Sequence, residues 1–85
     1  MLSGEKKKRL KMINLLVDVN HLLKITENYP QLVLLWVNSQ AYNGKSALSV
    51  INAISQKDDV EIEIIANENI EKDFYDELND AHLLA

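Results

Sequence analysis

Val60, Ile62 and Ile64 alternate with Glu61 and Glu63. A period of two is that of a strand with one face covered and one face open. Wound into a helix, the same residues would scatter their apolar side chains around the axis. Ten residues later the period changes. Ile70, Phe74, Leu78 and Ala81 recur at helical spacing and form a stripe fit to lie on a sheet. The chain thus carries a half-covered sheet and the means to cover it. Its 85 residues make one domain. A chain of this size buries only a modest core. Its 47% hydrophobic content is enough to pack that core without staples, and the absence of Cys excludes disulfides and thiolate metal sites. His21 and His82 are too far apart for a metal-ligand pattern.

The remaining elements follow in order. Residues 1–9 read as a basic, frayed tail, and residues 10–85 as the domain. Lys11 to Leu16 reads as a first strand with poor alternation. Asp18 is the N-cap of a first helix whose stripe is Val19, Leu22, Leu23 and Thr26. That helix ends by Asn28, because Tyr29 precedes Pro30 and is pushed out of the α region. Gln31 to Val37 is a second strand, Asn38-Ser39 a tight turn, and Gln40 to Tyr42 the return strand. Ser46 caps a second helix with Ala47, Leu48, Ile51 and Ile54 as its buried stripe. Lys57-Asp58-Asp59 is a polar loop. The last helix starts within Asn67 to Asn69 and runs to Leu83, with Glu68, Glu71 and Asp73 near its positive end. The order is βαββαβα, an α+β pattern. One four-stranded antiparallel sheet with three helices on one face buries these stripes economically.

Charge and motifs narrow the function. The net charge of -4 argues against general nucleic-acid binding. Lys6-Lys7-Lys8-Arg9, with Lys11 beyond, is the one basic cluster. The apolar run Met12 to Val17 is short, is broken by Asn14 and ends at Asp18, unlike a signal peptide. No segment approaches the roughly 20 apolar residues of a membrane span. This composition fits the cytoplasm. Gly44-Lys45-Ser46 looks like the end of a phosphate-binding loop, but Ser39 stands where that motif needs its first glycine. Asp58, Asp59, Glu61 and Glu63 read as a loop and a solvated strand face. No nucleophile has a base and an orienting group in evident reach, so catalysis is not expected. No cofactor is implied. With Val33, Leu35 and Val37 facing the helices, Leu34 and Trp36 face the open side with Glu61, Glu63 and Ile65. Leu34, Trp36 and Ile65 then form an apolar patch suited to a homodimer or a protein partner.

Asn43-Gly44-Lys45-Ser46 entering the second helix, Leu48, Val50 and Ile51 within it, and the strand Val60 to Ile64 together resemble the histidine-containing phosphocarrier protein (HPr) of the bacterial sugar phosphotransferase system. The resemblance covers about four-fifths of the chain. It implies the HPr-like open-faced sandwich. In that family a phosphoryl-accepting histidine sits at the start of the first helix, followed by an arginine and a proline. Helix-terminal N–H groups and the arginine stabilise the phosphorylated imidazole. Here the stretch reads Leu15-Leu16-Val17-Asp18-Val19-Asn20, without histidine or arginine, and Asp18 would repel a phosphoryl group. The strand-to-helix loop also looks several residues shorter than in the family.

His21 is the nearest candidate acceptor, about a turn past Asp18, off the stripe and near Lys24. His82 reads as an ordinary surface residue. The resemblance makes Ser46 a candidate phosphorylation site, where a phosphate at a helix N-terminus would be electrostatically welcome. Ser is equally a good N-cap without modification. Lys45, Ala47, Val50 and Ile51 would form a contact face for a protein partner, a kinase or regulator related to the phosphotransferase system. The leading expectation is a non-catalytic interaction or regulatory module without histidine phosphocarrier activity. The alternatives are a phosphocarrier using His21 or Ser46, and an unrelated ferredoxin-like binding domain of βαββαβ order in which the last helix is an extra.

Overall fold

The computed structural model describes residues 8–85. The part of the expected tail before Lys8 lies outside the described residues. The elements are β1 (Leu10–Lys11), α1 (Val19–Thr26), β2 (Val33–Val37), β3 (Gln40–Asn43), α2 (Ala47–Ser55), β4 (Glu61–Ile64) and α3 (Glu68–Asp80). The four strands form one antiparallel sheet in the order β1-β4-β2-β3. This is the α+β open-faced sandwich, βαββαβα, that the sequence implies.

The β2–β4 pairing sets the two faces. Val33 lies opposite Ile64 and Leu35 opposite Ile62, and all four side chains are buried. Leu34 opposite Glu63 and Trp36 opposite Glu61 take the other face. Asn38 and Ser39 turn β2 into β3 with φ of 48° and 69°. Positive φ at both central residues is the hairpin geometry whose twist matches that of the flanking strands.

The helices close the covered face. Leu22, Ile25, Val50, Ala53, Phe74 and Leu78 join the strand residues in one core. The α3 helix is integral to that core, since Phe74 and Leu78 are fully buried. It is not an appendage to a βαββαβ unit. Asn67 caps α3 by accepting from the Ile70 N–H at 2.9 Å. At the other end the helix stops at Asp80, short of the expected Leu83. His82 adopts a left-handed φ of 60°, its N–H donates to the Asn79 carbonyl, and the Leu83 N–H donates to the Leu78 carbonyl. This 6→1 and 5→2 pair is a Schellman stop, here with histidine in the place usually held by glycine. Leu83 is thereby turned into the core.

The first strand is also shorter than expected. The ladder covers Leu10–Lys11; beyond it the Met12 N–H donates to the Val60 carbonyl at 2.8 Å, and Met12 forms an isolated bridge to Leu84. Asn14 takes a φ of 61°, which asparagine tolerates better than most residues, and its carbonyl accepts from the Val17 and Asp18 N–H groups. Residues 14–17 therefore turn rather than extend. The segment after α3 closes the edge beside β1: the Ala85 N–H donates to Lys11 and the Ile13 N–H to Leu83.

In α2 the buried side differs from the expected stripe. Val50 and Ala53 are buried, whereas Leu48 and Ile51 are 70% and 52% exposed. The helix is apolar at 47, 48, 50, 51, 53 and 54, nearly all round, so its period alone does not choose a face. The smaller pair, Val50 and Ala53, takes the side that meets the sheet. Similarly, α1 buries Ile25 beside Leu22 and Thr26, while Val19 and Leu23 lie at its margin.

Two outcomes test this packing. A Cβ on Gly44 would meet Val33 Cγ1 at 2.6 Å and the Val33 carbonyl oxygen at 3.2 Å. Gly44→Ala is expected to cost about 1–3 kcal/mol through overpacking, read as a lower urea midpoint with unchanged slope. Tyr29 packs edge-on against Phe74 at 5.1 Å and donates its O–H to Glu77 Oε2 at 2.5 Å. Burial, then the Glu77 carboxylate, push its phenol up to about 12. The neutral phenol is the form favoured by folding, so this stability is full below the ordinary value of 10.0 and is lost as pH rises through about 12. Melting temperatures across that window should fall less for Tyr29→Phe than for the wild type.

Candidate functional site

Three surfaces hold the candidate residues: the start of α1, the outward side of α2, and the open face of the sheet.

At the start of α1, Asp18 occupies the N-cap position, but its backbone is not extended (φ -113°, ψ 31°) and its side chain makes no capping bond. The expected cap is present in place but not in chemistry. Leu15 is buried, while Leu16 and Val17 are 80% and 84% exposed. The loop thus presents two aliphatic side chains and a carboxylate. His21 lies in the first turn of α1, three residues after Asp18. It lines a shallow groove with Ile25, Glu77, Asp80 and Ala81. A phosphoryl group carried there would face two carboxylates. His82, next in the chain to the groove's Ala81, is exposed and serves the Schellman stop, and its carbonyl accepts from Asn14 Nδ2 at 2.9 Å.

At the start of α2, Ser46 is a working cap. It is extended (φ -107°, ψ 123°), and its Oγ accepts from the Ser49 N–H at 3.3 Å. Asn43 Oδ1 accepts from the Lys45 N–H at 2.9 Å, and Lys45 Nζ donates to the Tyr29 carbonyl. Of the expected contact face, Ala47 and Ile51 are exposed, Lys45 is partly buried and tied to Tyr29, and Val50 is fully buried. Val50 is therefore a core residue with no surface to offer. Leu48 takes its place on the outward side. Ile13 and Leu15 of the loop before α1 line one cleft with Ile54, so that loop adjoins α2.

On the open face, Leu34 and Trp36 are half-buried and Ile65 is exposed beside an exposed Leu32. The register that sets Leu10 opposite Ile62 leaves the Arg9 side chain beside Glu63, with Nε 3.8 Å from Oε1. The Arg9 guanidinium carbon stands 3.8 Å from the Trp36 ring centroid. The indole N–H donates to Glu63 Oε1 at 2.8 Å. Glu63 is only 4% exposed, contrary to its expected solvated setting. The alternation places it on the open face correctly, but Trp36 and Arg9 cover it. Arg9, expected in the tail, is the residue sequence reasoning missed. Its signal was the continuing β1 register, hidden by the strand's poor alternation.

Among the described residues no group of His, Cys, Asp and Glu could hold a metal ion, and no helix is long and apolar enough to cross a membrane. No family model matches the chain, and no curated protein or solved structure matches it.

The geometry at Ser46 gives a direct test of the capping role. Ser46→Ala should cost about 1 kcal/mol in denaturant unfolding. Ser46→Asp, which restores an acceptor and adds a charge at the helix's positive end, should stay within about 0.5 kcal/mol of the wild type.

Proposed function

We propose that this domain is an HPr-like protein-interaction module, related to the sugar phosphotransferase system, that does not carry a phosphoryl group on histidine. One observation carries the reading. The position before α1 where an acceptor imidazole would stand holds Leu16, Val17 and Asp18, and the first two are almost wholly exposed. Exposed aliphatic side chains at a helix start do nothing for a phosphoryl group. They suit a surface that another protein covers. Leu48 and Ile51 extend the same chemistry along the outward side of α2. The partner is a protein with an apolar contact surface, a kinase or regulator of that system, met in the cytoplasm. Ser46 is the site at which such a kinase would act: its Oγ already faces a helix N-terminus, where phosphate oxygens would find N–H donors.

A homodimer through the open face is the second reading. Leu32 and Ile65 favour it, being exposed side by side on that face. Trp36 contributes less than expected, because Arg9 already lies over its ring.

Incubation with phosphoenolpyruvate and the first phosphotransferase enzyme tests the reading. No acid-labile phosphoryl group should appear on the protein; its transfer to His21 would overturn the proposal. In the same system, Leu48→Glu with Ile51→Glu should leave folding intact, both positions being exposed, and abolish binding to the partner. Unchanged binding would remove α2 from the interface.

A further inference from the structure

The proposed role uses the helical side of the molecule and leaves the far side of the sheet without a task. There, Arg9 stacks on Trp36 at 3.8 Å, and the indole N–H is fixed to Glu63 Oε1 at 2.8 Å. Arg9 and Trp36 line a cleft of about 310 Å³ with Asn38, Ser39, Asp58, Asp59 and Glu61. A planar cation is thus held against an aromatic face with Glu63 beside it, at the edge of a cleft whose lining includes Asp58, Asp59 and Glu61. Arginine is the side chain that both features suit, because its guanidinium stacks on rings and forks onto carboxylates.

Arg9 itself fits this setting imperfectly. Its Nε lies 3.8 Å from Glu63 Oε1, too far for a hydrogen bond. That Nε is buried and has no hydrogen-bond partner among the described residues. The cause is the tether. The next residue, Leu10, is paired with Ile62 in the ladder. The Lys8 carbonyl just before Arg9 is held by the Tyr75 O–H at 3.0 Å, and the same hydroxyl accepts from the Ile64 N–H. An arginine on another chain has no such tether and can turn its fork fully onto the carboxylates.

We propose that the Trp36 face bordering this cleft is an arginine-binding site, covered in cis by Arg9 and open in trans to an arginine of a basic protein segment. Charge complementarity selects the partner: Asp58, Asp59, Glu61 and Glu63 all stand on or beside this face. Lys11 answers only Asp59, at 3.7 Å on the exposed rim, where an ion pair holds little. The carboxylates exclude nucleic acid and other anions. Arg9 is then a built-in competitor that sets the threshold for the incoming segment.

The chain has a single Trp, so the indole N–H of Trp36 gives one unambiguous resonance. Arg9→Gln keeps the first two methylenes of the stem and removes the cation. Titrated with N-acetyl-arginine amide, this variant should show a saturable shift of that resonance. Its half-saturation should be about tenfold lower than in the wild type, if Arg9 holds the site about nine-tenths of the time. Adding Glu63→Gln should abolish the shift, and N-acetyl-lysine amide should bind more weakly. Arg9→Lys, whose ammonium competes less well at a planar site, should fall between Arg9→Gln and the wild type. No saturable shift in either variant, or an equal response to uncharged N-acetyl-norleucine amide, would overturn the proposal.

Discussion

Everything in this molecule follows from the register of β2 against β4. With Leu35 opposite Ile62 and Val33 opposite Ile64, the apolar halves of both strands share one side. Each of these fully buried side chains is worth about 1.5–3 kcal/mol of transfer free energy. A slip of β4 by one residue would turn Glu61 and Glu63 into the core and expose Ile62 and Ile64. The cost of burying two unpaired carboxylates makes that alternative untenable. The same register gives the open face its contents. It sets Trp36 close enough to Glu63 for a hydrogen bond of 2.8 Å, and it gives Arg9 an aromatic ring to cover.

The sheet and its helices were legible in the sequence because their patterns were one-sided. Val60 to Ile64 alternates cleanly, and the α3 stripe of Ile70, Phe74 and Leu78 has charged residues on its other side. Asn67 and Ser46 announced the two helices they cap, and both make the bond expected of them. Where the pattern was two-sided, reading failed. The α2 helix has apolar residues on most of its circumference, and only the space above β2 and β3 decides that Val50 and Ala53 go inward. Tyr75 was missed for another reason. Its ring is buried while its hydroxyl bridges the Ile64 N–H and the Lys8 carbonyl, a task that depends on strands distant in sequence.

The candidate site divides in the same way. Local chemistry, such as the Ser46 cap or the lack of an acceptor beside Asp18, could be read from neighbours in the chain. The exposure of Leu16, Val17, Leu48 and Ile51 could not, since any of them would serve equally well in a core. The burial of Glu63 depends on Arg9 and Trp36, which lie 54 and 27 residues away in sequence. Long-range placement converts an apparently solvated carboxylate into the anchor of an aromatic and cationic stack.

The protein thus keeps one face of its sheet dry and arms the other with a tryptophan, a buried carboxylate and an arginine. The register is open to direct measurement by the nuclear Overhauser effect between α-protons of facing strands. Contacts from Leu35 to Ile62 and from Val33 to Ile64 are the expected result. Contacts from Leu35 to Glu61 or Glu63 would place the acidic side chains inside and contradict the account at its root.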